Sequence, residues 1–385
     1  ITQSGGVAFQ STVTANTVTI SNSTLGANVD FQDNLTVNTG MSAAGGTAAY
    51  DILITGSNNS IAGATTFANT GELTIGNGAT DVSVFTGGLT ATTQSAGSGA
   101  GFVRTAGGVV NLGTVTFTAA STVDTTNNGA VPAGANLTLV NALGGQNLTL
   151  IGGTAGTVDL AGATVANLTV TSNAIDFTGG ANTITSTGAV LLQGATAATT
   201  IDVGSPAGGT GILDISDADL AAIASGATSL TIGQATQSGT IVVGSSAFQN
   251  PVIIQAPSGA IQVTDNVTNP GKAVTLTGGN VSLTAAKSIT TTATANSGTA
   301  SGAVTITTTG TGTITLAGNL VTTGAANNVG SGSVGGSVTI SGATGAVTIS
   351  GNITATGGAG TRVFAVGGEN GGAGGDIAIS AIEDH

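Results

Sequence analysis

Short phrases in which two branched or long apolar residues flank one small residue recur along the whole chain. They include Val274-Thr275-Leu276, Val281-Ser282-Leu283, Val304-Thr305-Ile306, Ile314-Thr315-Leu316, Val338-Thr339-Ile340, Val347-Thr348-Ile349 and Ile377-Ala378-Ile379. Earlier examples are Leu137-Thr138-Leu139, Leu148-Thr149-Leu150 and Leu168-Thr169-Val170. Alternation of period two marks a strand with one buried face. Many such strands, with Gly-rich turns and no long helix between them, predict an all-β repeat architecture: a parallel β-helix, or β-solenoid.

The spacing is most regular in the last third. The first apolar residues of matching phrases, Val274, Val304, Val338 and Ile377, lie 30, 34 and 39 residues apart. Three strands fit in each coil, starting at Val274, Val281 and Ile289, then Val304, Ile314 and Leu320, then Val338, Val347 and Ile353. Steps within a coil are short, and the step back to the next coil is long. An insertion inside a strand would turn its side chains to the wrong face, whereas a corner loop grows at little entropic cost. The predicted corner loops are residues 291–302, 323–336 and 355–375. Before residue 270 the strand phrases persist with a looser period, and Asn-Leu-Thr units at Asn34, Asn136, Asn147 and Asn167 tie them together. The expectation is one continuous solenoid over 1–385, less regular over 1–270 and regular with long corner loops over 271–385. At about 30 residues per coil, it holds about a dozen coils, on the order of 60 Å at the inter-strand spacing. One helix is expected, with Ser216 as N-cap, Asp219 three residues on and Gly226 able to end it in the left-handed region.

Composition narrows the function. Gly contributes 65 of 385 residues and charged residues only 5%, against about 25% in ordinary domains. Disordered chains combine low hydrophobicity with high charge, but here 40% of residues are hydrophobic and regularly spaced. Four Lys and Arg against 17 Asp and Glu, a net charge of −13, cannot line a groove for nucleic acid. No Cys is present, so there is neither a disulfide framework nor a thiolate zinc site. No apolar run approaches the ~18 residues that span a membrane, so membrane insertion is not expected. The chain starts at Ile1 without a leader-like segment, and reads as a segment of a longer precursor.

Candidate sites are few. The single His, His385, is terminal and has no nucleophile beside it in sequence. The Asp residues look scattered at strand starts and turns, where Asp is common. No catalytic residue and no cofactor is therefore expected, and the chain reads as a non-enzyme. Asp214, Asp217 and Asp219 are three carboxylates within six residues, weak candidates for Ca²⁺; capping and turn roles explain them as well. Gly371-Gly372-Ala373-Gly374-Gly375-Asp376 opens like a calcium nonapeptide but stands alone, so it reads as a Gly-rich corner. Asn-x-Ser/Thr sequons at Asn22, Asn34, Asn58, Asn136, Asn147, Asn167, Asn266, Asn280 and Asn352 follow from the Asn-rich repeat itself. In the longest loop, Arg362 and Phe364 bring a cation and an aromatic to an otherwise bland corner, and are the candidate binding residues.

Gly-Ala-Val-Thr-Ile at 302–306 and 345–349, Gly-Asn-Leu/Ile at 318–320 and 351–353, and Gly-Gly-Asp-Ile-Ala-Ile at 374–379 resemble the repeats of filamentous haemagglutinin-like exoproteins, within the wider group of bacterial β strand repeat surface proteins. The resemblance is strongest from about residue 259 onward. It implies a right-handed parallel β-helix, secreted or held at the bacterial cell surface, serving as a stalk or adhesive fibre, and it carries over no catalytic residue. The expected partners are copies of the chain, end to end or side by side, or host-surface and glycan ligands. The alternatives are a self-assembling subunit of a sheath, surface layer or extracellular filament, and, less favoured, a polysaccharide-active β-helix enzyme.

Overall fold

The structure, a computed structural model, describes residues 1, 5–205, 211–328, 330–360 and 370–381. Apart from one short helix, its regular elements are strands. The chain divides into two compact units, residues 1–188 and 189–385. Each is a parallel β-helix, in which a strand pairs with its equivalent one coil earlier and one coil later.

In the first unit one core-facing column runs through Val7, Val29, Ile52, Leu73, Gly97, Val115, Ala142, Ala163 and Ile184, each the register partner of the next. Every step along this column is shorter than the shortest step of the last third, Val274 to Val304. Coils here are thus more compact than the sequence spacing of the last third predicts. Many of the corners are short, as between Ile54 and Asn58, Ile61 and Thr65, and Val165 and Leu168.

The second unit opens with one long step, Val190 to Leu230, and is then compact too, with Leu230, Val252 and Val274 in register at equally short steps. Its coils then lengthen. Val274 pairs with Val304, Val304 with Val338 and Val338 with Ile377. The other two predicted columns also hold: Val281–Ile314–Val347 and Ile289–Leu320–Ile353. Three strand positions per coil are therefore correct here residue by residue.

Val, Ile and Leu fill both interiors. The strand Val304–Thr308 alternates buried and half-buried along its length, and Ile52, Leu137, Leu139, Val158 and Leu160 are fully enclosed. Each such side chain contributes roughly 1.5–3 kcal/mol. Most of the buried aromatics sit in the first unit, with Phe248 buried in the second: Phe9 and Phe31 are register partners whose rings stack at 4.9 Å, and Tyr50 is buried with its hydroxyl donating to Ala44 O. Gly97 and Gly99 interrupt two core columns there and leave a small apolar cavity of about 30 Å³ lined by Leu73, Ile75, Val115 and Phe117.

Two corner devices bring neighbouring coils close. The first is a glycine column, Gly279–Gly312–Gly345. A Cβ on Gly312 would collide with the carbonyl oxygen of Gly279, and one on Gly345 with that of Gly312. Only hydrogen fits between these backbones. The second is asparagine: Asn34 Oδ1 accepts from Asn58 N, Asn136 from Thr157 N, Asn266 from Ser288 N, Asn280 from Thr313 N and Asn319 from Asn352 N, at 2.8–3.0 Å. Each amide oxygen holds the backbone of the next coil, which gives the Asn-Leu-Thr phrase a structural role.

Two outcomes check this. Gly312→Ala should destabilise the chain by about 1–3 kcal/mol, the cost of forced overpacking. Gly99→Ala should be neutral or stabilising by up to about 1 kcal/mol, because its Cβ would find its nearest neighbour at 3.4 Å. Denaturant midpoints of the two variants read both.

Candidate functional site

The second unit departs from simple coils once. Ile201–Val203 pairs with Ile241–Val243, a step almost twice that of the compact coils, and also pairs in parallel with Leu213–Ile215. The extra length carries the helix Asp217–Ala222. Ser216 caps it as expected: Asp219 N donates to Ser216 Oγ at 3.2 Å, and Ser216 N donates to Asp219 Oδ2 at 2.9 Å. The end differs from expectation. The C-cap is Ile223 in extended conformation, with Ile223 and Ala222 buried. Gly226 takes its positive φ three residues later, where its N–H donates to Asn250 Oδ1. Burial of Ile223 sets the helix length, rather than a terminal glycine.

This insertion rearranges the expected acidic trio. Asp219 is buried and committed to the cap, its Oδ2 also accepting from Ser216 Oγ at 2.6 Å. Asp217 is exposed and lines a separate cleft. Asp214 instead stands in register beside Asp202, whose Oδ2 accepts from Gly211 N at 2.7 Å. Sequence reasoning missed Asp202 because a parallel pairing over so short a step has no signature in a pattern built on coils. Burial, then repulsion from Asp202 and Asp219, raises the Asp214 pKa above its ordinary value. Among the described residues, no three Asp, Glu, His or Cys side chains are placed to hold a metal ion.

The cleft beside the helix has a volume of about 450 Å³ and is lined by Asp217, Ala221, Ser246, Gln249, Asn266 and Thr268, among others. Its floor is the corner strand Ser246–Ala247, against which the helix packs. Polar side chains and two alanines, Ala221 and Ala247, share the lining, and Asp217 is its one charge. One coil on, Lys287 Nζ meets Asp265 Oδ1 at 2.8 Å, and that bond, with one from Asn266 N, lowers the Asp265 pKa.

The corner loops form the other candidate surface. They stack on one another through the backbone: Asn296 N donates to Ala326 O, Ser301 N to Val334 O, Asn327 N to Ala359 O and Gly335 N to Ala373 O. The loops thus extend the ladder of the strands, and residues 294–300 are exposed. Residues 370–376 run through this stack into the strand Ile377–Ala381, as a Gly-rich corner should. Arg362 and Phe364 lie outside the described residues, as does His385. Comparison with known proteins gives no relative: no family model, no curated protein and no solved structure matches the chain.

The acidic pair has a definite pH signature. A carboxyl whose pKa is raised on folding adds stability while it is protonated, and that contribution is lost as pH rises through the raised value. Asp214→Asn should therefore raise the melting temperature at neutral pH by on the order of 1 °C, as suits an exposed, solvent-screened charge. The gain should vanish in acid, below the ordinary Asp range. Melting curves of both proteins between pH 3 and pH 8 (roughly the span either side of the Asp range) test it.

Proposed function

We propose that this chain is a non-enzymatic structural and adhesive β-solenoid of the extracellular or bacterial cell-surface kind, a stalk or fibre segment of a larger protein. One observation carries the reading. Successive coils superpose strand on strand, while length varies at one corner, where the described loop residues 291–302, 323–328, 330–336, 355–360 and 370–375 stack into a second surface. Such a design separates a scaffold that resists change from loops that are free to change. The strands supply span and stiffness, and the loop stack presents contacts to a host surface or glycan.

A second reading, a self-assembling subunit, draws on the strand Ile377–Ala381. All its residues are exposed, with Ile377 and Ile379 48% and 51% accessible. An open strand edge with exposed apolar side chains templates a further coil, whether of a continuing chain or of a second copy.

Electron microscopy of the purified chain, with calcium and then with chelator, separates the readings. Discrete particles unchanged by chelator, together with retention of chain-coated beads on cells or glycan surfaces, are expected for an adhesive stalk. Deleting residues 295–299 should abolish the retention and leave the particles intact. Regular fibres or lattices would favour the subunit. Discrete particles whose beads are not retained on any such surface would remove the adhesive part.

A further inference from the structure

The strands Val274–Leu283, Val304–Thr308 and Val338–Gly342 lie in register and present two parallel rows of hydroxyls on the outside of the second unit. One row is Thr275, Thr305 and Thr339; the other is Thr277, Thr307 and Ser341, continued by Ser380. All six residues of the three strands are half-buried or exposed, while the residues between them, Leu276, Ile306 and Ile340, point inward and are buried. Along a row the repeat is about 4.8 Å and across the rows about 6.6 Å, the inter-strand spacing and twice the rise per residue.

Three further features mark this array. Among the described residues, the hydroxyls of Thr275, Thr277, Thr305, Thr307 and Thr339 make no hydrogen bond to protein, whereas those of Thr291 and Thr322 on the corners are tied to Gly302 O and Gly336 O. Threonine is stiff at χ1, so the free hydroxyls hold fixed positions. No charged and no aromatic residue stands in either row, whose earlier members are Leu191, Thr231, Ile253 and Gln255. In the first unit, by contrast, the comparable row Thr66, Thr90, Asn111, Thr138, Asp159 and Asp176 becomes acidic.

We infer that this face adsorbs to ice. A hydroxyl both donates and accepts, so a fixed two-dimensional array can replace a patch of lattice water, whose oxygens in hexagonal ice repeat a little closer than the first of these spacings and a little wider than the second. The threonine methyls lie between the hydroxyls and order water around themselves. Each contact is weak, but rigid repetition makes them additive without further loss of freedom. An ionic mineral surface would call for charge, and a sugar surface for stacking rings; the rows hold neither. The inference stands independently of the stalk reading.

The test is an ice-recrystallisation assay on the full chain at its highest soluble concentration. The wild type and a Thr90→Lys control should keep ice grains small. Thr305→Lys with Thr307→Lys should behave as buffer while melting at the wild-type temperature. If that variant fails to fold, Thr305→Val with Thr307→Val, which keeps shape and methyls, should still lose most of the effect. Wild-type protein that behaves as buffer would overturn the inference, as would a folded lysine variant, or a valine variant in its place, that retains full activity. Pull-down by cellulose or chitin powder with no effect on ice would also overturn it, and would give the face to a polysaccharide instead.

Discussion

The structure depends on one constraint: each strand finds its hydrogen-bonding partner in the equivalent strand of the next coil, in parallel and in register. Once the pairing Val274–Val304–Val338 is set, the buried and exposed faces of the whole coil follow, because side chains alternate with a period of two. The apolar columns supply the driving force for that stacking, and the backbone ladder fixes its geometry. With 5% charged residues and no Cys, neither ion pairs nor disulfides are the staple; Lys287–Asp265 is a partly exposed pair of small value.

Stacking at strand spacing forces the corners to be thin, and composition follows. Glycine stands where one coil's carbonyl presses on the next coil's Cα, as at Gly312 and Gly345. Asparagine stands where a backbone N–H must be met by a side chain from the neighbouring coil, as at Asn280 and Asn319. Both residues are ordinarily signs of loose structure. Here each is a spacer of fixed size, and the high Gly content reflects close approach rather than flexibility.

Period two was visible in sequence because Val-Thr-Leu and its relatives carry it openly, and the three columns from Val274, Val281 and Ile289 were correct. The coil length of the first unit was not legible from the last third, since Gly97 and Asn59 occupy core columns where an apolar residue would have kept the count. The Ser216 cap was readable because its partners are local. Its neighbour in space, Asp202, was not, because the pairing with Asp214 arises from an insertion that skips the coil period. The loop stack was foreseen as a single corner, but its continuous backbone ladder is a tertiary property that no single loop sequence encodes.

The proposed functions rest on a repeating scaffold and on what its surfaces hold, the corner loops and a neutral hydroxyl face. The central claim is that register within strands is essential and length at the loop corner is free. Two single-glycine insertions measure it, one between Thr305 and Ile306, the other between Gly298 and Thr299, each followed by denaturant unfolding. The first should turn Ile306 outward and cost at least about 2–5 kcal/mol, the scale of losing a buried aliphatic side chain. The second should change stability by no more than about 0.6 kcal/mol, the scale of a lengthened loop. Equal losses from the two insertions would contradict the account.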